Sequence, residues 1–156
     1  MREYSLWLIV AAAAVHVLEE FSGNWVAWAR SALSLDVDWP TFFVTNATMI
    51  FALVAFASIG WQAPEFSLIG AALIAINAIF FHIGIALVQR RWSPGTFTAT
   101  VLYLPAAAFA YIAACDAGVL SGEVVAISVI GGALFMAFPV VLIKLKPRID
   151  RSERLD

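Results

Sequence analysis

Five long apolar stretches, separated by short clusters rich in Gly, Pro, Trp and charged residues, divide this chain. They cover residues 5–21, 40–60, 66–88, 96–115 and 123–143. At ~1.5 Å per residue each helix would span roughly 25–34 Å, enough to cross a hydrocarbon core of ~30 Å. The pattern predicts an all-α fold: a polytopic transmembrane bundle of about five helices. The breaks have local causes. Asp38-Trp39-Pro40 can cap and start the second helix, because proline is tolerated in a first turn. Gly60 and Pro64 separate the second span from the third. Ser93-Pro94-Gly95 breaks the chain again, with Ser93 placed to cap the fourth helix. Pro105 and Pro139 fall inside spans and should bend them. Between the first two spans, residues 25–35 read as a short amphipathic helix or turn at the membrane surface.

Composition agrees with that pattern. The chain is 63% hydrophobic and 13% charged, and its mean hydropathy of +0.91 excludes an ordinary soluble domain. Its 156 residues suit one membrane domain, residues 1–146, followed by a charged cytoplasmic tail at 147–156. A net charge of −2 without a basic stripe argues against nucleic acid as a partner, leaving membrane lipid and hydrophobic small molecules. The lone Cys115 excludes an internal disulfide. The N-terminus resembles a signal peptide in outline, but its basic region is one residue, Arg2, and the apolar helix continues through a charged motif to Phe21. The first helix is therefore expected to be kept. Arg30, Arg90, Arg91 and the five basic residues from Lys144 to Arg154 fall on one side of such a bundle, against Arg2 alone on the other. The positive-inside rule then puts the C-terminus in the cytoplasm and the N-terminus outside. Trp25, Trp28, Trp39 and Trp92 fall at one interface, and Trp7 and Trp61 near the other.

Chemistry enters with His16-Val17-Leu18-Glu19-Glu20, at the end of a run of Leu, Ile, Val and Ala. Ionisable groups in such a setting are expensive unless paired, protonated or bound to something. At ~100° per residue, Glu19 and Glu20 flank His16 on one helix face. Depth counting brings further groups to the same layer. His16, Asn46, His82, Thr100 and Tyr103 all lie within roughly 6–11 Å of one membrane face. Asn77 is deeper and ~140° around its helix from His82, placed to bridge helices. Ala12 and Ala13, one turn above His16, leave room for a neighbouring helix.

These residues resemble a family of bacterial membrane proteins named for an HXXEE motif. That family carries the motif near the N-terminus, then a second histidine, then Tyr-x-Pro-Gly. His16 to Glu20 matches the first feature and His82 fits the second. Trp92-Ser93-Pro94-Gly95 fits the third, with tryptophan in place of tyrosine. The resemblance covers roughly residues 8–110. It implies a bacterial inner-membrane location and candidate site positions, but no reaction.

Three readings of the polar layer follow. In the first, His16, His82 and one or both of Glu19 and Glu20 hold Zn(II), Fe(II) or Mn(II), and Asn46, Asn77, Thr100 and Tyr103 support the layer. The protein would then be a metal-dependent enzyme acting on a lipid-like substrate, with whichever of Glu19 and Glu20 is not a ligand serving as general base. Haem on the two histidines is disfavoured, because two acids beside the iron are unusual company. In the second, the His–Glu group transfers protons without metal, as in an isomerase, a cyclase or a small proton-coupled transporter. In the third, the layer only fixes helix register.

Overall fold

The computed structural model describes residues 3–152, with side chains through residue 143. Six helices follow one another: α1 (Tyr4–Ser22), α2 (Trp25–Leu33), α3 (Trp39–Ile59), α4 (Pro64–Gln89), α5 (Thr96–Asp116) and α6 (Gly122–Ser152). All but α2 are long and apolar enough to cross a membrane, which makes this a multi-pass membrane protein. The α6 helix runs past residue 146 to Ser152, so the backbone at 147–152 is helical. The side chains of Arg2, Lys144, Lys146, Arg148, Arg151 and Arg154, which carry much of the expected charge bias, lie outside the described residues.

Sequence explains the helix starts. Asp38 Oδ1 accepts the Thr41 N–H at 2.9 Å, and Pro40 sits in the first turn of α3. Asn24, with φ of 55°, turns the chain and caps α2 by accepting from Ala27 N. The α5 start differs from expectation: Ser93 does not cap it. Gly95 is the N-cap residue, and no local side chain serves. The cap comes from another helix.

The bundle packs through small residues, as expected where lipid supplies no hydrophobic drive between helices. The α6 helix lies closest along α4. A Cβ at Gly132 would stand 2.8 Å from both Ala72 Cβ and the Leu73 backbone nitrogen. Ala107, Ala110, Ala113 and Ala114 form the buried side of α5. On α1 the buried stripe is Leu6, Ile9, Ala13, His16 and Glu20, with steps of three and four that define one helical face. Large side chains such as Phe51, Leu87, Phe80 and Leu134 point outward, as lipid-facing positions should. Trp61 departs from the interfacial reading: it is 8% exposed and belongs to the core at its end of the bundle.

Two segments are π-helical, with hydrogen bonds closing over five residues: Asn77–Gly84 in α4 and Ala99–Tyr103 in α5. The second directly precedes Leu104-Pro105. Proline cannot donate to the preceding turn, and the wider turn absorbs the lost bond. Both segments carry residues of the site described next.

The close α4–α6 approach makes a stability prediction. Gly132→Val should destabilise the bundle by about 1–3 kcal/mol by overpacking. Gly122→Ala, where an added Cβ meets nothing within 4 Å, should be near neutral. Equilibrium unfolding in mixed detergent micelles reads both.

Candidate metal centre

Two helices bring His16, Glu20 and His82 together. One face of α1 supplies the first two, because they are four residues apart. The π-helical turn of α4 supplies the third. His16 Nε2 and His82 Nε2 each lie 3.6 Å from the same oxygen, Glu20 Oε1. The two rings meet edge-on, centroids 4.7 Å apart at 87°. All three residues are buried, at 3%, 6% and 2% exposure, and their ligand atoms lie within 4.8 Å of one another. Tyr103, from the π-helical segment of α5, packs its ring over His16 at 4.3 Å.

The opposite edge of each imidazole is held by a hydroxyl. His16 Nδ1 lies 2.8 Å from Thr98 Oγ1. Thr98 in turn donates to the Gly95 carbonyl, which leaves its oxygen to accept from His16 Nδ1–H. His82 Nδ1 lies 3.3 Å from Ser93 Oγ, which is 2.8 Å from Thr96 Oγ1. Histidine ligands are oriented in this way when their second nitrogen is anchored, and here both Nε2 atoms face Glu20. Ser93, Thr96 and Thr98 were not singled out as site residues from the sequence. The signals for them were the Pro-Gly motif nearby and, for Thr96, its helical spacing with Thr100 and Tyr103.

Gly95 explains that motif. Its φ is +93°, a conformation that L side chains rarely adopt. A Cβ there would stand 2.6 Å from His82 Cε1, 2.8 Å from His16 Cε1 and 3.0 Å from Glu20 Cγ. Backbone is thus pressed against all three site residues at once. Pro94 meets α1 beside it, where a Cβ on Gly23 would lie 2.7 Å from Pro94 Cβ.

Glu19 does not join His16, Glu20 and His82. Its Oε1 accepts from Gly95 N at 3.1 Å and Phe97 N at 3.3 Å, and its Oε2 from Thr98 N at 2.7 Å. These are unsatisfied amides at the start of α5, and a carboxylate is the favoured group there. Glu19 is the cap that Ser93 does not provide.

The supporting positions divide. Asn46 donates to the Phe42 carbonyl and, with Asn77, lines a cavity beside the site. Asn77 bridges α4 to α6, with Nδ2 3.6 Å from Met136 Sδ. Thr100 is not brought to the layer. It donates to the Thr96 carbonyl and lines an outward groove with Arg90, Arg91 and Trp92. The cavity, of about 110 Å³, has His16, Glu20 and Tyr103 in its wall.

A family described as a protein of unknown function with an HXXEE motif matches residues 7–110, two thirds of the chain. The chain belongs to this HXXEE family. The matched region holds every residue of the site, from His16 on α1 to Tyr103 on α5, and leaves out α6. Comparison with curated proteins and with solved structures gives no match.

The division between the two glutamates is testable. Glu19→Gln keeps one carbonyl acceptor but removes the charge from three hydrogen bonds. It should lower stability by about 1–3 kcal/mol while His16, Glu20 and His82 stay in place. Gly95→Ala should do worse, because it combines a positive φ with contacts under 3 Å on two site rings. Thermal unfolding in detergent should rank wild type above Glu19→Gln and Glu19→Gln above Gly95→Ala.

Proposed function

We propose that this protein binds a divalent metal through His16 Nε2, His82 Nε2 and Glu20, and that it is an enzyme acting on a lipid-like or hydrophobic small molecule. One observation carries the metal reading: two anchored imidazoles present their free nitrogens to one carboxylate oxygen at equal distances of 3.6 Å. A hydrogen bond between such groups would be about 2.7–3.2 Å long. Two ligands that share a zinc ion at ~2.05 Å with tetrahedral angles stand about 3.4 Å apart. A spacing longer than a hydrogen bond, with all the candidate ligand atoms within 4.8 Å of one another, supports a shared ion over a shared proton. Burial supports the same reading, because a carboxylate at 6% exposure among apolar helices needs compensating positive charge.

Two nitrogens and one carboxylate suit Zn(II), Fe(II) or Mn(II) and leave coordination positions for water or substrate. Such an ion supplies Lewis acidity, which polarises carbonyl or phosphoryl oxygens and activates water. The chain's own residues supply the rest. Thr98 and Ser93 fix the imidazoles, and Gly95 closes one side of the site with backbone. Tyr103 holds the ring of His16. Glu19 is engaged by backbone amides, so Glu20 is the carboxylate available to the chemistry. The cavity that opens from His16 and Glu20 has mainly apolar walls, which favours a hydrophobic substrate.

Metal analysis of protein purified without added chelator tests the reading. About one equivalent of Zn, Fe or Mn per chain is expected in wild type. His16→Ala, His82→Ala and Glu20→Gln should each lose it, while Glu19→Gln should retain it. Affinity should fall as pH is lowered, because the ligands must be deprotonated to bind. Wild type that stays metal-free after incubation with each ion would overturn the proposal. Proton flux into liposomes that depends on Glu20 without metal would replace it with the proton-transfer reading.

A further inference from the structure

The cavity beside the site has a feature that the His/Glu cluster does not use. Asn77 lines it from α4, on the wall formed with Leu73 and Ile74. Its Oδ1 is buried with no hydrogen-bond partner among the described residues. Its Nδ2 reaches only the Met136 thioether, at 3.6 Å, and thioether sulfur is a weak acceptor. A primary amide carries up to four hydrogen-bonding positions, and leaving one unmet in an apolar interior is costly. The shortfall does not depend on which way the amide is turned, because either end facing the cavity lacks a strong partner.

The cavity lies between helices. Both α3 and α6 line it, through Met49 and Leu53 on one and Met136 and Pro139 on the other. Each packs on α4. They touch through Phe56 and Phe135, whose rings stand edge-on at 5.0 Å. The cavity's lining residues come mainly from the apolar spans, which favours an occupant that partitions into the membrane.

We infer that this cavity is a binding site for an apolar molecule of about one ring or one branched five-carbon unit that carries a hydroxyl, with Asn77 hydrogen-bonding that hydroxyl. The size follows from the volume: about 110 Å³ is on the scale of the ~150 Å³ apolar cavity that admits benzene. The hydroxyl follows from the amide, because an O–H donates to Oδ1 and accepts from the NH2 in the turned form. The opposite end of the bound molecule lies toward His16 and Glu20. The inference names the substrate class for the proposed function and rests on that reading for what happens at the metal. The binding itself does not require a metal.

A matched pair of probes tests it. Fluorine NMR titrations of 4-fluorophenol and fluorobenzene against the full chain in lipid nanodiscs, with protein-free nanodiscs as the partition control, report binding directly. The phenol should bind about tenfold more tightly than the fluorobenzene. Asn77→Leu should erase that preference and leave fluorobenzene unchanged, and the filling variant Met49→Trp should exclude both. The same titration on His16→Ala and on chelator-treated protein should keep the phenol preference. That result separates failure of the metal reading from failure of this one. Equal affinity for the two probes in wild type, or a preference that survives Asn77→Leu, would overturn the assignment. So would no binding of either probe, which would leave a cavity that holds water only.

Discussion

The structure depends on one constraint: polar groups placed where no water reaches must find partners within the protein. The Ser93–Thr98 segment meets that demand for α1 and α4 together. Three of its backbone amides hold Glu19, and two of its hydroxyls hold the histidines. Its one glycine lies against His16, Glu20 and His82. The segment is both the start of a helix and the clasp of a site. The amides at that start need an acceptor, the carboxylate needs donors, and each satisfies the other.

Adjacent glutamates thereby take different tasks. Residues one apart on a helix point ~100° away from each other. Glu20 falls on the stripe that continues Leu6, Ile9, Ala13 and His16 into the core. Glu19 falls at its edge, toward the incoming loop. A pair that looks redundant in the sequence is one carboxylate that caps a helix and one that faces the two histidines.

The π-helical turns serve the same layer. Closing a turn over five residues shifts the side chains that follow it relative to an α-helix. His82 and Tyr103 both lie in such turns, and both reach His16. In α5 the cause is legible, because Pro105 removes a donor that an α-helix would need. In α4 the turn also places Gly84, where a Cβ would stand 2.9 Å from the Ile79 carbonyl, so that segment is shaped around a residue without a side chain.

Hydrophobic run length and punctuation determined the helices on their own, because in lipid the backbone must satisfy itself within each span. The first helix's periodicity likewise placed His16 and Glu20 on one face, and the motif order pointed to His82 and to Gly95. Several assignments needed the tertiary structure. Depth counting could not tell that Thr100 faces outward, because depth says nothing about rotation. It could not separate Glu19 from Glu20, because they lie at nearly the same depth on either flank of His16 until a particular loop arrives at one of them. Ser93 read as a local helix cap, and its hydroxyl instead serves a histidine because a distant carboxylate had already filled the cap. The cavity, with an amide left short of partners in its wall, belongs to no single helix. Local sequence fixes which groups a helix carries, and only packing decides which of them meet.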